Sequence, residues 1–312
     1  MTTIVTLTIN PAVDQNSSVE HVVPERKLRC RPPLYEPGGG GINVSRVIEE
    51  LGGKSLALYT AGGCTGQLLK DLLDRTGLDH RPTPIQGWTR ISLSVLEEAT
   101  GQQFRFNMPG PDLSEEELAQ FLRSLPAIEP KPGYIVGSGR LPPGVPDDLY
   151  ARVAQIGSDI GARVIIDTSG GALKTAVERG VFMIKPNTNE MNALAGRKLQ
   201  DEVEQEAAIM DIVRKGGAEV VVLSLGAAGV LMATKDGCER MRAPTVPIQS
   251  KVGAGDSMVA GIVLSLARGR PTRDSVLFGL AAGAAAVMTP GTELCRREDA
   301  ERLYGLLKSK DH

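Results

Sequence analysis

The sequence predicts one large α/β domain built on a mainly parallel sheet, and three observations lead to this prediction. Short, almost uninterrupted apolar runs recur along the chain and end in small or polar residues, as strands buried on both faces of a parallel sheet do. Two glycine-rich stretches, at 38–43 and 252–258, lead into helical patterns. The 312 residues are enough for one such domain, with a small appendage at most.

The composition argues against several classes of function. A formal net charge of −2 favours binding neither to nucleic acid nor to an anionic membrane. Three histidines and four scattered cysteines indicate no zinc site, no Ser-His-Asp triad and no disulfide framework. No apolar run reaches the ~20 residues that span a bilayer, and the N-terminus lacks a signal-peptide pattern. We therefore expect a soluble, cytoplasmic protein.

The first strand is predicted at 4–9 and ends at Asn10-Pro11. Asp14 follows closely, where it can either contact a ligand beyond the strand end or cap a loop. Residues 15–37 are irregular and carry a basic cluster. The members of this cluster are Arg26, Lys27, Arg29 and Arg31. The four glycines that come next allow a ligand to approach the backbone closely at the start of a helix.

Alternating apolar residues at 91–95 and 104–108 predict a β-hairpin that interrupts the βα order. A hairpin with one apolar side needs a surface to cover, so it is a candidate lid or dimer surface. Arg90 stands at its start, just after Trp88.

The βα order returns after a helix whose start is marked by a capping box, Ser114 with Glu117. Further strands are predicted at 134–136, 164–166, 181–184 and 220–223, and helices at 275–288 and 297–308. Because the carboxyl ends of parallel strands gather along one edge, the polar residues that follow them should lie together. Asn187 and Glu190 follow one such strand; they fit a hydrated Mg²⁺ beside phosphates, or a helix cap.

The segment 252–258 reads Val-Gly-Ala-Gly-Asp-Ser-Met and opens onto an apolar helix. A loop of small residues at a helix N-terminus can bind an anion, and Asp256 stands where it can accept a proton from an attacking hydroxyl. The alternative is a tight turn with a capping Asp. Neither common nucleotide motif is present. The P-loop pattern at 53–55 lacks its first glycine, since position 48 is Ile, and the dinucleotide fingerprint at 253–258 ends in Met.

Together, three motifs resemble those of the ribokinase-like (PfkB) sugar kinases: residues 38–43, Asn187-x-x-Glu190 and residues 252–258. Their order and spacing fit this family over the whole chain. The segments 6–14, 27–30, 36–43 and 88–90 are most similar to the minor class of bacterial 6-phosphofructokinases. Fructose-1-phosphate kinases usually carry Lys at the position of Gly40.

The resemblance implies a single domain over 1–312, with a three-layer α/β/α ribokinase-like core and a mainly parallel sheet. It also implies a small β-sheet lid formed by roughly 14–37 and 88–108. In the phosphofructokinases of this family two lids interlock, so a homodimer is expected. ATP and Mg²⁺ are the implied cofactors, with K⁺ as a further candidate.

The resemblance also implies a role for individual residues. Asp256 would be the catalytic base, and the anion hole would be formed by Gly253, Ala254 and Gly255. The sugar hydroxyls would be held by Asp14, Gly38, Gly39 and Asn43. The sugar phosphate would be held by Lys27, Arg29 and Arg90, some of them from the partner subunit. ATP would be held by Lys185, Asn187, Ser224, Gly226 and Gly229, with Glu190 binding Mg²⁺ through water. The K⁺ loop would include Ser250, Val252, Ala286 and Gly291.

Three positions depart from the family pattern. Arg140 replaces a Ser that can reach the sugar, so Arg140 can bind a phosphate or alter the sugar preference. In the K⁺ loop, Thr289 and Glu293 stand where the phosphofructokinases have Asn and Arg.

We therefore expect ATP-dependent phosphorylation of a phosphorylated ketohexose, most of all fructose 6-phosphate at its C1 hydroxyl. Tagatose 6-phosphate and fructose 1-phosphate are alternative acceptors within the same chemistry. An alternative of another class is a regulator that binds ATP and a sugar phosphate without turnover.

Overall fold

The computed structural model describes residues 3–291 and 293–309 of the chain. The strands are β1 (Ile4–Thr8), β2 (Ala12–Val19), β3 (Leu34–Gly38), β4 (Leu56–Ala61), β5 (His80–Pro84), β6 (Arg90–Glu97), β7 (Gln103–Asn107), β8 (Tyr134–Ser138), β9 (Arg163–Asp167), β10 (Val181–Ile184), β11 (Ala218–Ser224), β12 (Val230–Thr234) and β13 (Gly237–Met241). The helices are α1 (Gly40–Glu50), α2 (Gly63–Thr76), α3 (Glu115–Ser124), α4 (Leu149–Ile160), α5 (Gly171–Arg179), α6 (Thr188–Ala195), α7 (Glu202–Arg214), α8 (Ala254–Ala267), α9 (Thr272–Ala286) and α10 (Arg297–Ser309).

Most strands of the described residues belong to one large sheet, in the order β13-β12-β11-β10-β9-β8-β1-β4-β5. The neighbouring strands from β11 to β5 run parallel. Strand β12 pairs antiparallel with β11, and the edge strand β13 pairs antiparallel with β12. The carboxyl ends of β1, β8, β9, β10 and β11 therefore share one edge of the sheet, where ligands of such sheets bind.

Helices cover both faces of this sheet and make it the middle of three layers. On one face, α1, α8, α9 and α10 pack on apolar side chains of the central strands. On the other face, apolar side chains of α3, α4, α5, α6 and α7 complete a second core. Helix α8 packs against both α9 and α1 and is buried from Ser257 to Ala267, which explains why its sequence is mainly apolar on all sides.

A second sheet, here called the small sheet, consists of β3-β2-β6-β7 in that order. Strand β2 pairs antiparallel with β3 and parallel with β6, and β6 pairs antiparallel with β7. Several large apolar side chains on or beside the small sheet are exposed. They are Leu34, Tyr35, Trp88, Leu96, Phe106 and Met108.

The predicted fold class is confirmed: a three-layer core with a mainly parallel sheet, plus a smaller sheet. The hairpin over 91–108 and the capping box of Ser114 with Glu117 are confirmed as well. Residues 15–37 were predicted to be irregular, but β2 and β3 occupy the two ends of this segment; β2 is mostly half-buried, so its sequence is polar and gave no strand pattern. The strands β4, β5, β12 and β13 were also missed. The residues of β5, His-Arg-Pro-Thr-Pro, lack a strand pattern, and Pro is tolerated there since β5 is an edge strand. No helix of the described residues is long and apolar enough to cross a membrane.

Candidate active site

The N-terminus of α8 presents free backbone donors at the carboxyl edge of the large sheet. The preceding residue, Gly253, adopts a left-handed conformation with φ 73°, and no side chain caps the helix. The bond from the Ser257 N–H to the Gly253 carbonyl, at 2.8 Å, begins the helix ladder. The N–H groups of Ala254, Gly255 and Asp256 precede that bond, so they and the helix dipole are available to an anion.

The Asp256 side chain lies in the first turn of α8 and is directed by Asn43 of α1. Asn43 Nδ2 donates a hydrogen bond of 2.9 Å to Asp256 Oδ2. Burial raises the pKa of Asp256 to about 7; the Asn43 bond and Lys185 act against this rise, while Asp167 and Asp14 add to it. A carboxyl with a pKa near neutrality is suited to accept a proton and release it again.

Asp14 of β2 forms a second, half-buried carboxyl on the side of the site nearest β1, here called the β1 side. Burial raises its pKa to about 6, while the nearby charges of Arg90, Arg105 and Arg46 oppose the rise. Gly38 stands against it so closely that a Cβ at that position would lie 2.3 Å from Asp14 Oδ2.

Arg90 is held beside Asp14 by the carboxyl end of β1. Its Nε donates to Asn10 Oδ1 at 2.9 Å, its Nη2 to the Asn10 carbonyl at 3.2 Å, and its Nη1 to Ser92 Oγ at 2.8 Å. A guanidinium has more N–H donors than these three bonds use, so Arg90 is oriented yet still able to bind a ligand. Burial lowers its pKa, and the Asp14 carboxylate acts in the opposite direction.

Gly39 and Gly40 complete the β1 side at the start of α1. Gly39 has φ 119° and lies against Thr8 and Pro11. A Cβ at Gly40 would meet Ser138 Oγ at 2.3 Å and the Gly139 nitrogen at 2.9 Å. The turn between β3 and α1 is therefore in close contact with the loop after β8.

Lys185, at the end of β10, is buried on the opposite half of the site, here called the β10 side. Its Nζ lies 3.1 Å from Asp167 Oδ1. Burial opposes the charge on Lys185, but the carboxylates of Asp167, Glu190 and Asp256 together outweigh burial and the pKa of the ammonium is raised. A Cβ at Gly255 would lie 3.6 Å from Lys185 Nζ, so this cation adjoins the free N–H groups of α8.

Asn187 and Glu190 form a capping box at the start of α6, as one of the two sequence interpretations predicted. Asn187 Oδ1 accepts from the Glu190 N–H at 3.0 Å, and Glu190 Oε2 accepts from the Asn187 N–H at 2.8 Å. Burial raises the pKa of Glu190, and the charges of Lys185 and Arg140 act in the opposite direction. The cap leaves Glu190 Oε1 for a further ligand.

The loop after β11 brings the other predicted nucleotide residues to the same edge. The Ser224 N–H donates to the Pro186 carbonyl at 2.9 Å, which joins this loop to the β10 side. Gly226 and Gly229 both have positive φ; Gly226 is the first residue of one turn of 3₁₀ helix, and Gly229 follows its last residue. Arg240 Nη2 donates to the Ala228 carbonyl at 3.2 Å and helps to fix the loop.

Lys27 and Arg29 lie between β2 and β3 and are exposed. Within the described residues, no hydrogen bond or ion pair joins either of them to the cluster around Asp256.

In the predicted K⁺ loop, side-chain hydroxyl groups donate hydrogen bonds to backbone carbonyl groups. Thr289 Oγ1 lies 2.7 Å from both the Ala286 and the Glu293 carbonyl oxygens. Ser250 Oγ donates to the Gly291 carbonyl at 2.6 Å and accepts from the Val252 N–H at 3.2 Å. Thr292 of this loop lies outside the described residues.

Two site residues were missed by the sequence analysis. Asp167 is the partner of Lys185, and its position at the end of a predicted strand was a signal for it. Arg105 of β7 acts on Asp14 through its charge. It alternates with Phe104 and Phe106, so the alternation that predicted the hairpin also places Arg105 on the opposite face.

The similarity of the chain to known proteins extends over its whole length. Residues 5–299 match the family described as pfkB family carbohydrate kinase. The ATP-dependent 6-phosphofructokinase isozyme 2 of Mycobacterium tuberculosis (strain CDC 1551 / Oshkosh) is 46% identical over 303 residues, covering 97% of this chain and 89% of that protein. The protein of the same name from Escherichia coli (strain K12) is 41% identical over 308 residues, covering 98% and 99%.

The similarity extends to a solved three-dimensional structure. The crystal structure of phosphofructokinase-2 from Escherichia coli in complex with fructose-6-phosphate has a TM-score of 0.93 to this chain at 40% identity, covering 99% of this chain and 100% of that one.

Proposed function

The chain belongs to the pfkB family of carbohydrate kinases, and we propose that it transfers the terminal phosphoryl group of ATP to the C1 hydroxyl of fructose 6-phosphate. The observation that carries this proposal is the arrangement at α8, where the Asp256 carboxyl, with a pKa of about 7, adjoins free backbone N–H groups. The two 6-phosphofructokinase relatives and the fructose-6-phosphate complex of the Escherichia coli protein support this acceptor.

In the proposed reaction Asp256 accepts the proton of the C1 hydroxyl as its oxygen attacks the terminal phosphorus. A bond forms between that oxygen and phosphorus, and the bond from phosphorus to the bridging oxygen of ADP breaks. Asn43 holds the Asp256 carboxyl through its 2.9 Å bond and so orients the base. The N–H groups of Ala254, Gly255 and Asp256, with the Lys185 ammonium, stabilise the charge on the transferred group.

The β1 side is the proposed acceptor site. Asp14, Asn43 and the backbone at Gly38 and Gly39 hold the sugar hydroxyls. Arg90 and Arg105 hold the 6-phosphate, because both lie close enough to act on the Asp14 carboxyl and because phosphate favours cationic donors. Lys27 and Arg29 are proposed to add to this charge, from the same chain or from a partner subunit.

The contacts of Gly40 favour fructose 6-phosphate over fructose 1-phosphate. Fructose-1-phosphate kinases usually carry Lys at this position, and here even a Cβ would meet Ser138 and Gly139. A lysine would require the loop after β8 to move.

The β10 side is the proposed nucleotide site, with Ser224, Gly226 and Gly229 beside Lys185 and Asn187. No group of three or more His, Cys, Asp or Glu side chains in the described chain can enclose a metal. This fits Mg²⁺, which keeps most of its waters and needs few protein ligands. Glu190, through water, and Asp167 would hold it, and bound Mg²⁺ would offset charge on the phosphates. A K⁺ ion at the 286–293 loop would meet the Ala286 and Gly291 carbonyl groups, which already accept hydrogen bonds from Thr289 and Ser250.

We further propose that the small sheet, with the segments 14–37 and 88–108, is a lid. Its strand β2 carries Asp14 and its strand β6 carries Arg90, so movement of the small sheet would move the acceptor site. Closure would exclude water, which competes with the sugar as phosphoryl acceptor.

The exposed apolar side chains of the small sheet predict a homodimer, because a patch of this kind marks an interaction surface. We expect light scattering to give twice the chain mass of 33.1 kDa. Leu34→Glu, at a side chain that is 62% exposed, should shift the protein to monomer and lower its activity. Val203→Glu, at an exposed apolar residue of α7, is the matched control and should stay dimeric. A monomeric wild-type protein would contradict the prediction.

Gly38→Ala should weaken acceptor binding without unfolding the protein. The new methyl group would overlap Asp14 Oδ2, and the Asp14 side chain can rotate away more easily than the backbone can move. We therefore expect KM for fructose 6-phosphate to rise about tenfold, the effect of one lost hydrogen bond to a charged group. KM for ATP and the melting temperature should change little. An unchanged KM for the sugar phosphate would argue against Asp14 as its ligand.

The proposed function is tested by ADP release with Mg-ATP and, separately, fructose 6-phosphate, tagatose 6-phosphate, fructose 1-phosphate and fructose. The highest kcat/KM should be obtained with fructose 6-phosphate. Preference for another phosphosugar would correct the acceptor, and no turnover with any would favour a non-catalytic regulator.

A further inference from the structure

Arg140 occupies a fixed position between the two halves of the site. It follows β8, and β8 lies between β1 and β9 in the large sheet. The preceding carbonyl, that of Gly139, accepts hydrogen bonds from Thr168 Oγ1 at 2.8 Å and Tyr150 OH at 3.1 Å. The Gly139 N–H donates to the Asp167 carbonyl at 3.0 Å. These bonds anchor the backbone from which the Arg140 side chain departs.

The same anchoring directs the Arg140 backbone N–H. The Gly139 carbonyl points to the buried hydroxyls of Thr168 and Tyr150. In a trans peptide the carbonyl and the following N–H point in opposite directions. The Arg140 N–H therefore points away from the core, and the exposed guanidinium adds further donors there.

The loop that holds the Gly139 peptide belongs to the β10 side. Asp167, whose carbonyl accepts the Gly139 N–H, also pairs with Lys185, and Thr168 follows it in the chain. Arg140 therefore leaves the backbone between the two halves of the site, where a phosphoryl group passing from one half to the other must lie.

The cations Lys185 and Arg140 differ in their partners. Lys185 forms an ion pair with Asp167 at 3.1 Å, so a carboxylate already offsets its charge. In the described chain, no hydrogen bond or ion pair engages the Arg140 guanidinium. A nucleotide triphosphate is strongly anionic, and arginine is the side chain best shaped to bind a phosphate with two donors.

We propose that Arg140 binds the terminal phosphate of the bound nucleotide, across the site from the N-terminus of α8, and not the 6-phosphate of the sugar. This inference rests on the kinase function proposed above. Arg140 would then stabilise the phosphoryl group during its transfer, as cationic clamps do in other phosphotransferases.

Equilibrium binding tests the proposal without any turnover. Calorimetry would compare the wild type, Arg140→Ser and Arg140→Lys. Each protein would be titrated with three ligands: the Mg²⁺ complex of the non-hydrolysable imido analogue of ATP, the Mg²⁺ complex of ADP, and fructose 6-phosphate. The dissociation constant of the analogue should rise about tenfold or more in Arg140→Ser, as expected for a lost charge-assisted hydrogen bond. ADP and fructose 6-phosphate should bind as before, and Arg140→Lys should fall between. Arg123→Ser, at an exposed arginine of α3, is the matched control.

Three results would overturn the proposal. Weaker binding of fructose 6-phosphate with unchanged binding of the analogue would place Arg140 in the acceptor site. An equal loss of affinity for the analogue and for ADP would mean that Arg140 binds an inner phosphate of the nucleotide. Unchanged binding of all three ligands would make it a solvated side chain. Because the analogue needs no acceptor, a wild-type protein that fails to phosphorylate fructose 6-phosphate would contradict the proposed function and leave this test intact.

Discussion

Asp256→Asn is expected to lower kcat by about 10²- to 10⁴-fold, the usual contribution of a general base. The amide has nearly the shape of the carboxylate and its oxygen can still accept the bond from Asn43, so the site keeps its geometry. It cannot accept the C1 hydroxyl proton. Steady-state kinetics with fructose 6-phosphate measures the loss, and the KM values for both substrates should change little.

The pH dependence of the same variant gives a second measurement. The Asp256 carboxyl must be ionised to act as a base, and its pKa is about 7. The kcat of the wild-type protein should therefore fall as pH drops below about 7, approaching tenfold per pH unit. Asp256→Asn should lose this limb. A variant with most of the wild-type activity, or with the same acid limb, would contradict the assignment of the base.

As pH rises, the contribution of Asp256 to the stability of the folded protein should fall while the activity rises. The pKa of Asp256 is raised in the folded protein, so its proton favours the folded state below about pH 4 and that advantage is lost as pH rises through about 7. Above pH 7 the native protein holds a buried carboxylate at a cost. Asp256→Asn removes this cost, and its melting temperature at pH 8 should equal or exceed that of the wild type.

Arg90→Ala is the second large effect, with an expected rise of about 10- to 100-fold in KM for fructose 6-phosphate. This corresponds to the roughly 1.5–3 kcal/mol of a hydrogen bond to a charged group. Asn10 and Ser92 fix the guanidinium, so its remaining donors are already oriented for the phosphate. Its removal also removes the largest charge that opposes protonation of Asp14.

A change in KM for fructose 6-phosphate alone would distinguish the loss of a phosphate ligand from a general loss of structure. KM for ATP should change by less than about twofold, because Arg90 lies on the β1 side. Arg90→Lys should be intermediate, since it keeps the charge but loses the planar fork. Equal increases in KM for both substrates would argue against the phosphate role of Arg90.

Much of the fold could be predicted because parallel strands buried on both faces carry their own sequence signal. Val181–Ile184 is apolar throughout and was predicted with its observed bounds. The strands β5 and β13 lie at the edges of the large sheet and are less buried than the central strands. Their sequences are polar or contain Pro, so they gave no strand pattern. Asp256 and Asn43 were recognised from their motifs, but their hydrogen bond joins residues 213 positions apart and depends on how α1 meets α8.

Residues outside the motifs were harder to predict because only the tertiary structure gives them partners. Asp167 looked like an ordinary end of a strand, and Lys185 was named as an ATP residue only through the family resemblance. The neighbouring positions of β9 and β10 make the two residues an ion pair. Arg140 was recognised as a departure from the family pattern, and the sequence left open whether it binds a phosphate or alters the sugar preference. The place of Arg140 between β1 and β9, on a peptide held by Asp167 and Thr168, supports the proposed contact with the terminal phosphate.

Phosphorus NMR of the reaction mixture tests most directly whether the protein transfers phosphoryl from ATP to the C1 hydroxyl of a ketohexose 6-phosphate. With Mg-ATP and fructose 6-phosphate, the purified protein should produce ADP and fructose 1,6-bisphosphate in equal amounts, with no increase in inorganic phosphate. Release of inorganic phosphate without the bisphosphate, or the absence of any product, would contradict the account.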